Sequence, residues 1–399
     1  VSALWAAASG SLLAAGSANA ILALARLAGL LAGTCVLTQI TLIGRVRWVE
    51  QAFGLDRLSR VHHWNGFALV ALALLHPLLM IGSYAALNGL PAFQQALLFV
   101  QSYRGVILAD VGLIVFVVVL VTALTLLRKC LTYEQWYAIH FVAYAAIALV
   151  FVHQLAVGGS LNSSPALRAY WVALWLFCVG NVFLFRFIRP VYNYLVHRTR
   201  VERIVPETAE VNSVYIAGRA LERFRIQPGQ FMIVRFLQRG LWWEAHPFSL
   251  SCAPNGAYLR LSIKAVGDFT RKVPTIRPGA PVLIDGPHGV MTPRLARTKV
   301  LLIAGGIGIT PLRALAEHLA VQGRDVVLLY GNRTLDSIVF YGELDCLARE
   351  RGLVVHHILS QEPSWPGEKG FIDRDRIQRL APDVLEREIY LCGPPPMMT

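Results

Sequence analysis

Nearly all the long apolar runs of this chain lie before about residue 195, and that division constrains the fold more than any other feature. Apolar stretches over residues 2–18, 20–43, 62–83, 106–127, 136–157 and 169–189 read as helices. Crossing a hydrocarbon layer of about 30 Å takes about 20 residues, so the pattern predicts a six-helix transmembrane bundle. From about residue 198 the chain reads as globular. A hydrophobic content of 55% and a mean hydropathy of +0.52 are too high for a purely soluble protein of 399 residues. The net charge of +13 argues for a membrane and against nucleic acid, because of where the charge sits. Arg45, Arg47, Arg57 and Arg60 cluster at one set of helix ends, as do Arg128, Lys129, Arg186, Arg189, Arg198, Arg200 and Arg203. The opposite loops carry only Arg104 and Arg168. By the positive-inside rule the chain is an integral inner (plasma) membrane protein whose globular part faces the cytoplasm.

Two of the apolar helices carry paired histidines. His62 and His76 lie fourteen residues apart in RVHHWNGFALVALALLHPLL, and His140 and His153 lie thirteen apart in WYAIHFVAYAAIALVFVHQL. An imidazole inside a membrane is costly and marks function. At about 1.5 Å per residue each pair spans roughly 20 Å, which suits two stacked haems and an electron path across the bilayer. His62 and His140 fall near the inner face, His76 and His153 near the outer. The spacing is not equally regular. Fourteen residues return to within about 40° of the starting face, whereas thirteen miss it by about 140°. The second histidine helix is therefore expected to be kinked, bulged or rotated. Arg26, near the outer end of ILALARLAGL, is read either as a partner for a haem propionate or anionic product, or as a side chain snorkelling to the interface.

Six cysteines occur without a CxxC pair, so neither an iron–sulfur cluster nor a zinc site is signalled. The chain starts at Val1 and stops just after LCGPPPMM, so both ends are expected to be cut; residues 1–20 hold no signal-peptide pattern.

Between about 205 and 290, short alternating strands separated by QPGQ, APNG and RPGA predict a small antiparallel barrel. HPFSLS (His246–Ser251) closes one strand and offers the Ser249 hydroxyl to a flavin ring. KAVGDFT supplies Gly267, Asp268, Phe269 and Thr270, whose turn suits a pyrophosphate. DGPHG is a tight turn. From 298 strands and helices alternate, the mark of a doubly wound parallel sheet. AGGIGITP (Ala304–Pro311) joins a strand to a helix, where glycines let backbone approach phosphates. Arg333 in YGNR is placed for an adenosine phosphate, favouring NADPH, or is a plain surface arginine. LCGPPPMM puts Cys392 and Gly393 at the carboxyl end of a strand, where ligands bind in such sheets.

The order HPFSLS, GDFT, GPHG, AGGIGITP, CGPPPMM resembles the ferredoxin–NADP reductase superfamily. With the histidine-bearing helices in front, the whole chain resembles the ferric reductase and NADPH oxidase family, compact bacterial members above all. The resemblance implies three domains: a haem domain over 1–197, an FAD-binding barrel over 198–294 and an NAD(P)-binding α/β domain over 295–399. It implies two haems b on His62, His76, His140 and His153, with His63 the alternative to His62. It places FAD at His246, Pro247, Phe248 and Ser249, with the pyrophosphate near Gly267, Phe269 and Thr270. NADPH or NADH phosphates go to Gly305, Gly306, Ile307 and Gly308, and the nicotinamide to Thr310, Pro311 and Cys392, with Arg333 and Gly393 also binding cofactor. Catalytic roles fall to Ser249, Cys392 and Arg26.

The chain also departs from the family. Animal oxidases often carry a further histidine one turn past the outer haem ligand, where this chain has Met80, while Arg26 resembles the arginine those enzymes place near the outer haem. The reading is an NAD(P)H-dependent oxidoreductase that passes electrons through FAD and two haems to O2, giving superoxide. A ferric chelate or a periplasmic protein is the alternative acceptor, and a flavoreductase on a haem-free membrane anchor is the competing class.

Overall fold

The computed structural model describes residues 2–131, 133–295 and 297–398. The chain forms two compact units, one of Val1–Val49 with Leu55–Phe185, the other of Glu50–Gly54 with Arg186–Thr399.

Among the described residues, five helices are long and apolar enough to cross a membrane: α1 (Ser17–Ile43), α2 (Leu55–Asn88), α3 (Arg104–Ala123), α4 (Gln135–Val157) and α5 (Pro165–His197). The sixth span expected over 2–18 does not form. That stretch is a short helix, Ser2–Ser9, followed by a 3-10 turn, Gly10–Ala14, and the chain breaks at Gly16 in a positive-φ conformation. Side chains such as Leu78, Ile114 and Leu176 point outward at 67%, 63% and 68% exposure. Helices that satisfy their backbone internally and present such a surface suit hydrocarbon, not water.

Inside the first unit, α1 packs along α2 and α3 packs along α4. Small residues set the distance. A Cβ on Gly105 would come within 3.1 Å of Ala156, and one on Gly112 within 3.0 Å of Val150, so glycines one heptad apart let α3 and α4 close up. Helix α4 is interrupted at Val142, between the segments Tyr133–Phe141 and Ala143–Val157. There Val142 N–H donates to Ile139 O at 3.1 Å, an i→i+3 bond that tightens the turn. Each residue wound at about three per turn gains about 20° over an α-helix, the sense in which the thirteen-residue spacing falls short.

Among its described residues the second unit holds three sheets. β1 (Arg200–Thr208), β2 (Val211–Ala217) and β5 (Tyr258–Lys264) form one antiparallel sheet. β4 (His246–Ser249), β3 (Phe231–Phe236) and β6 (Val282–His288) form another. Their apolar faces share one core containing Val214, Leu261, Met232, Phe236 and Ile284. The expected barrel is thus two open three-stranded sheets, tied by single bridges at Arg200–Pro281 and Leu250–Leu261. The third sheet is parallel, in the order β10 (Glu368–Lys369), β9 (Val354–Leu359), β8 (Asp325–Asn332), β7 (Lys299–Gly305), β11 (Glu388–Cys392). Successive β7 residues face opposite layers. Val300 and Leu302 meet helix Ile309–Val321, while Leu301 and Ile303 meet helix Arg374–Leu380. This is the doubly wound arrangement, and its strand order reverses beside β7, where ligands bind in such sheets.

Candidate functional site

In the first unit the four histidines meet in two pairs. The rings of His62 and His140 lie 6.0 Å apart between centroids, and those of His76 and His153 lie 6.5 Å apart. Two metal–nitrogen bonds of about 2.0 Å plus two ring radii give about 6 Å, so both gaps fit an ion held between two imidazoles. No group of three or more His, Cys, Asp or Glu side chains with metal-binding geometry occurs among the described residues. A two-nitrogen set is what a metal already held by a macrocycle requires.

At the upper pair His76 Nδ1 lies 2.8 Å from Ala25 O and His153 Nδ1 2.9 Å from Gly105 O. A carbonyl only accepts, so each Nδ1 carries the proton and each Nε2 keeps its lone pair for a metal. Gly29 makes this geometry accessible, since a Cβ there would lie 2.8 Å from His76 Nδ1. The pair opens on a cavity of about 710 Å³, lined mainly by apolar side chains and also by Arg26, Asp110 and Met80. The Arg26 guanidinium lies beside Gly159, 3.3 Å from where a Cβ would stand. Asp110 was not singled out from the sequence, although an acid in the most apolar of the spans is itself a signal.

The lower pair is built differently. His62 Nδ1 is 3.3 Å from Gln39 O, and Gln39 Nε2 donates to His62 O at 3.0 Å. Asn65 Nδ2 in turn holds Gln39 Oε1 at 2.5 Å. His140 Nδ1 is buried with no hydrogen-bond partner among the described residues. His63 stacks edge-on to Trp64 and Phe67 instead of joining the pair.

In the second unit His246, Pro247, Phe248 and Ser249 form β4 at the edge of its sheet. The His246 ring stacks 4.0 Å from Phe269, and Phe248 lies parallel to Phe269 at 6.3 Å. Phe269 is buried, so only its backbone is free to meet a ligand. The Thr270 hydroxyl receives the N–H groups of Val266 and Gly267 at 2.9 and 2.8 Å, which shapes that turn.

The glycine turn and the C-terminal strand end interlock. Gly305 pairs beside Gly331, and Cys392 beside Ala304. A Cβ on Gly308 would lie 2.3 Å from Cys392 O, and one on Gly305 2.6 Å from Met397 Sδ. Gly306 has positive φ and open space around it, a cradle for a ligand. Ile307 packs on the core, Pro311 is buried, and the Thr310 hydroxyl donates to Ile307 O at 3.1 Å. Burial pushes the Cys392 thiol up, so it stays protonated. Gly393 follows it directly, and Arg333 stands exposed just past β8.

Three family descriptions match the chain in order. They are ferric reductase like transmembrane component over 28–151, FAD-binding domain over 200–292 and oxidoreductase NAD-binding domain over 302–399. Together they are the architecture of the ferric reductase and NADPH oxidase family. As in that family, a membrane component precedes ferredoxin–NADP reductase-like FAD and NAD domains, the parts of a flavin-dependent oxidoreductase. Among curated proteins it is similar to the ferredoxin reductase component of 3-ketosteroid-9-alpha-monooxygenase of Mycolicibacterium smegmatis. The match is 31% identical over 212 residues, 50% of this chain and 58% of that protein. NADH-cytochrome b5 reductase 1 of Ajellomyces capsulatus is 32% identical over 166 residues, 38% of this chain and 53% of that one. The chain thus spans little more than half the length of these relatives. Among solved structures, the ferredoxin reductase in carbazole 1,9a-dioxygenase is 28% identical with a TM-score of 0.45, covering 50% of this chain and 61% of that one.

Proposed function

We propose that this chain, with its ferric reductase like membrane component, is a transmembrane NAD(P)H oxidase. It takes two electrons from cytoplasmic NADPH and passes them to O2 on the far side of the inner membrane, giving NADP⁺, a proton and two superoxide ions. The observation that carries this is the pairing of histidines at two levels, at 6.0 and 6.5 Å. When bound, FAD splits the two-electron donor into single electrons and two haems b carry them across hydrocarbon.

The chain's own residues hold and orient these groups. His62 with His140, and His76 with His153, would hold the two haems. The hydrogen bonds to Ala25 O and Gly105 O fix the upper tautomers and ring angles. β4 and the turn at Gly267–Thr270 supply the flavin site, with the Ser249 hydroxyl at the ring. Gly305, Gly306, Ile307 and Gly308 take the dinucleotide phosphates, and Arg333 the adenosine phosphate. Thr310, Pro311, Cys392 and Gly393 would border the nicotinamide, and burial keeps the Cys392 thiol neutral there. On this reading the haem, FAD and NAD(P) domains cover 1–197, 198–294 and 295–399. Orientation is supported by the basic clusters at Arg45–Arg60 and Arg128–Lys129 against the lone Arg104 and Arg168.

Arg26 in the upper cavity gives the acceptor end a cation, which suits an anionic product. The same cation suits an anionic ferric chelate, and this favours ferric-chelate reduction as the second reading over electron supply to a periplasmic protein. The test is NADPH-driven cytochrome c reduction by the purified chain, with and without superoxide dismutase. Loss of signal with dismutase is expected. A signal that dismutase leaves intact overturns the oxidase reading and moves the assignment to direct reduction.

A further inference from the structure

The helix Arg189–His197 has one face inside the second unit and one outside it. Pro190 and His197 are buried, Asn193 Nδ2 donates to Ile284 O at 3.4 Å, and His197 Nδ1 to Arg219 O at 3.0 Å. The opposite side carries Ile188, Val191, Tyr192 and Leu195, exposed by 46%, 50%, 62% and 54%. Their spacing of i, i+3, i+4 and i+7 makes one apolar stripe. Water is a poor solvent for that stripe, yet nothing among the described residues of the helix's own unit covers it.

Positive charge gathers at the helix's C-terminal end. Arg198 turns out of the helix at φ 47°, Arg200 opens β1, and Arg219 is drawn in by its N–H bond to His197 O at 2.6 Å. All three are exposed. The nearest acid in sequence, Glu202, is paired with Arg203 at 3.2 Å. The helix also continues a run, Pro165–His197, that meets the length and composition of a membrane span.

We infer that Arg189–His197 is an interfacial helix that binds anionic phospholipid. The apolar stripe sits at the acyl boundary, and Arg198, Arg200 and Arg219 meet lipid phosphates. An apolar stripe beside a basic cluster is the composition of helices that lie in the headgroup layer. Each arginine near an anionic leaflet contributes attraction that salt screens. This inference rests on the reading that the first unit spans a bilayer.

The test uses the full chain with a nitroxide at Leu195→Cys, in nanodiscs of phosphatidylcholine with or without phosphatidylglycerol. Relaxation by O2 and by a water-soluble nickel chelate reports where the label sits. The expected result is strong O2 and weak nickel relaxation, with the contrast larger in the anionic discs. Arg198→Gln, Arg200→Gln and Arg219→Gln should each cut the preference for anionic lipid about fivefold. Equal access to the chelate in both lipids overturns the inference, as does a label shielded from both reagents, which means protein covers the stripe. Failure of the chain to enter nanodiscs at all strikes instead at the membrane reading of the first unit.

Discussion

The two histidine pairs look alike in sequence and differ in how they are held. At the upper level both Nδ1 atoms are fixed by main-chain carbonyls, and a glycine clears the space for one ring. At the lower level His62 Nδ1 reaches the Gln39 main-chain carbonyl only at 3.3 Å, the Gln39 amide stands 3.3 Å from His62 Nε2, and His140 has no Nδ1 partner among the described residues. All three partnered Nδ1 atoms face main-chain carbonyls, but the upper contacts of 2.8 and 2.9 Å hold a ring more firmly than one of 3.3 Å. The upper site is therefore preorganised and the lower one adjustable, and outer-shell bonds of this kind govern metal affinity.

Removing a ring should show the largest effect. On the proposed ligation, His76→Ala or His153→Ala leaves about half the haem, with electron transfer reduced beyond the roughly 10–100-fold expected for losing an outer-shell partner. Pyridine haemochrome content and cytochrome c reduction measure the two. Full haem retention in either variant would remove the pairing from the account. Next in size is Gly29→Val, whose Cβ would stand 2.8 Å from His76 Nδ1. It should loosen the upper haem by about 10–100-fold in a transfer assay to apomyoglobin, without touching the lower. Gln39→Leu should have a smaller effect, about tenfold or less, confined to the lower centre. An equal or larger loss there than for Gly29→Val would reverse the contrast.

A third histidine environment sharpens it further. His288, 3% exposed, sits 3.2 Å from Asp285 Oδ1 and 3.9 Å from Glu50 Oε2. Burial pulls its pKa down, but the hydrogen bonds to Asp285 and Glu50 outweigh that and raise it above the ordinary value. A raised folded pKa stabilises fully below the unfolded value and is lost as pH rises through the folded one. Flavin release from the full chain should therefore come at lower temperature as pH climbs from about 6.5 toward 9, by a few degrees. His288→Gln should flatten that slope; an unchanged slope would mean the imidazole is neutral.

What the sequence made legible was whatever has a fixed period or a fixed turn. The histidine levels, the strand–helix alternation from 298 and the meeting of AGGIGITP with CGPPPMM all follow from such patterns. The break in α4 was foreseen only as a need, because FVAYAA contains no proline or glycine to locate it at Val142. The missing sixth span has a local cause that hydropathy averages over: Gly10 and Gly16 interrupt an otherwise apolar run. Barrel closure depends on pairings between distant strands, which alternation alone does not specify. Asp110 was passed over because a single acid hardly alters a window's hydropathy, yet the fold turns it into the cavity beside His153.

Both pairs draw one ring from α2 and one from α4, so the two centres share a single sliding register. A slip of one helical turn, about 5.4 Å, would separate both pairs at once. On the proposed ligation, filling the well-defined upper site locks that register and brings His62 opposite His140. Maturation of the protein then has a direction, upper centre first, and a chain starved of haem should accumulate with one site filled instead of a random half of both.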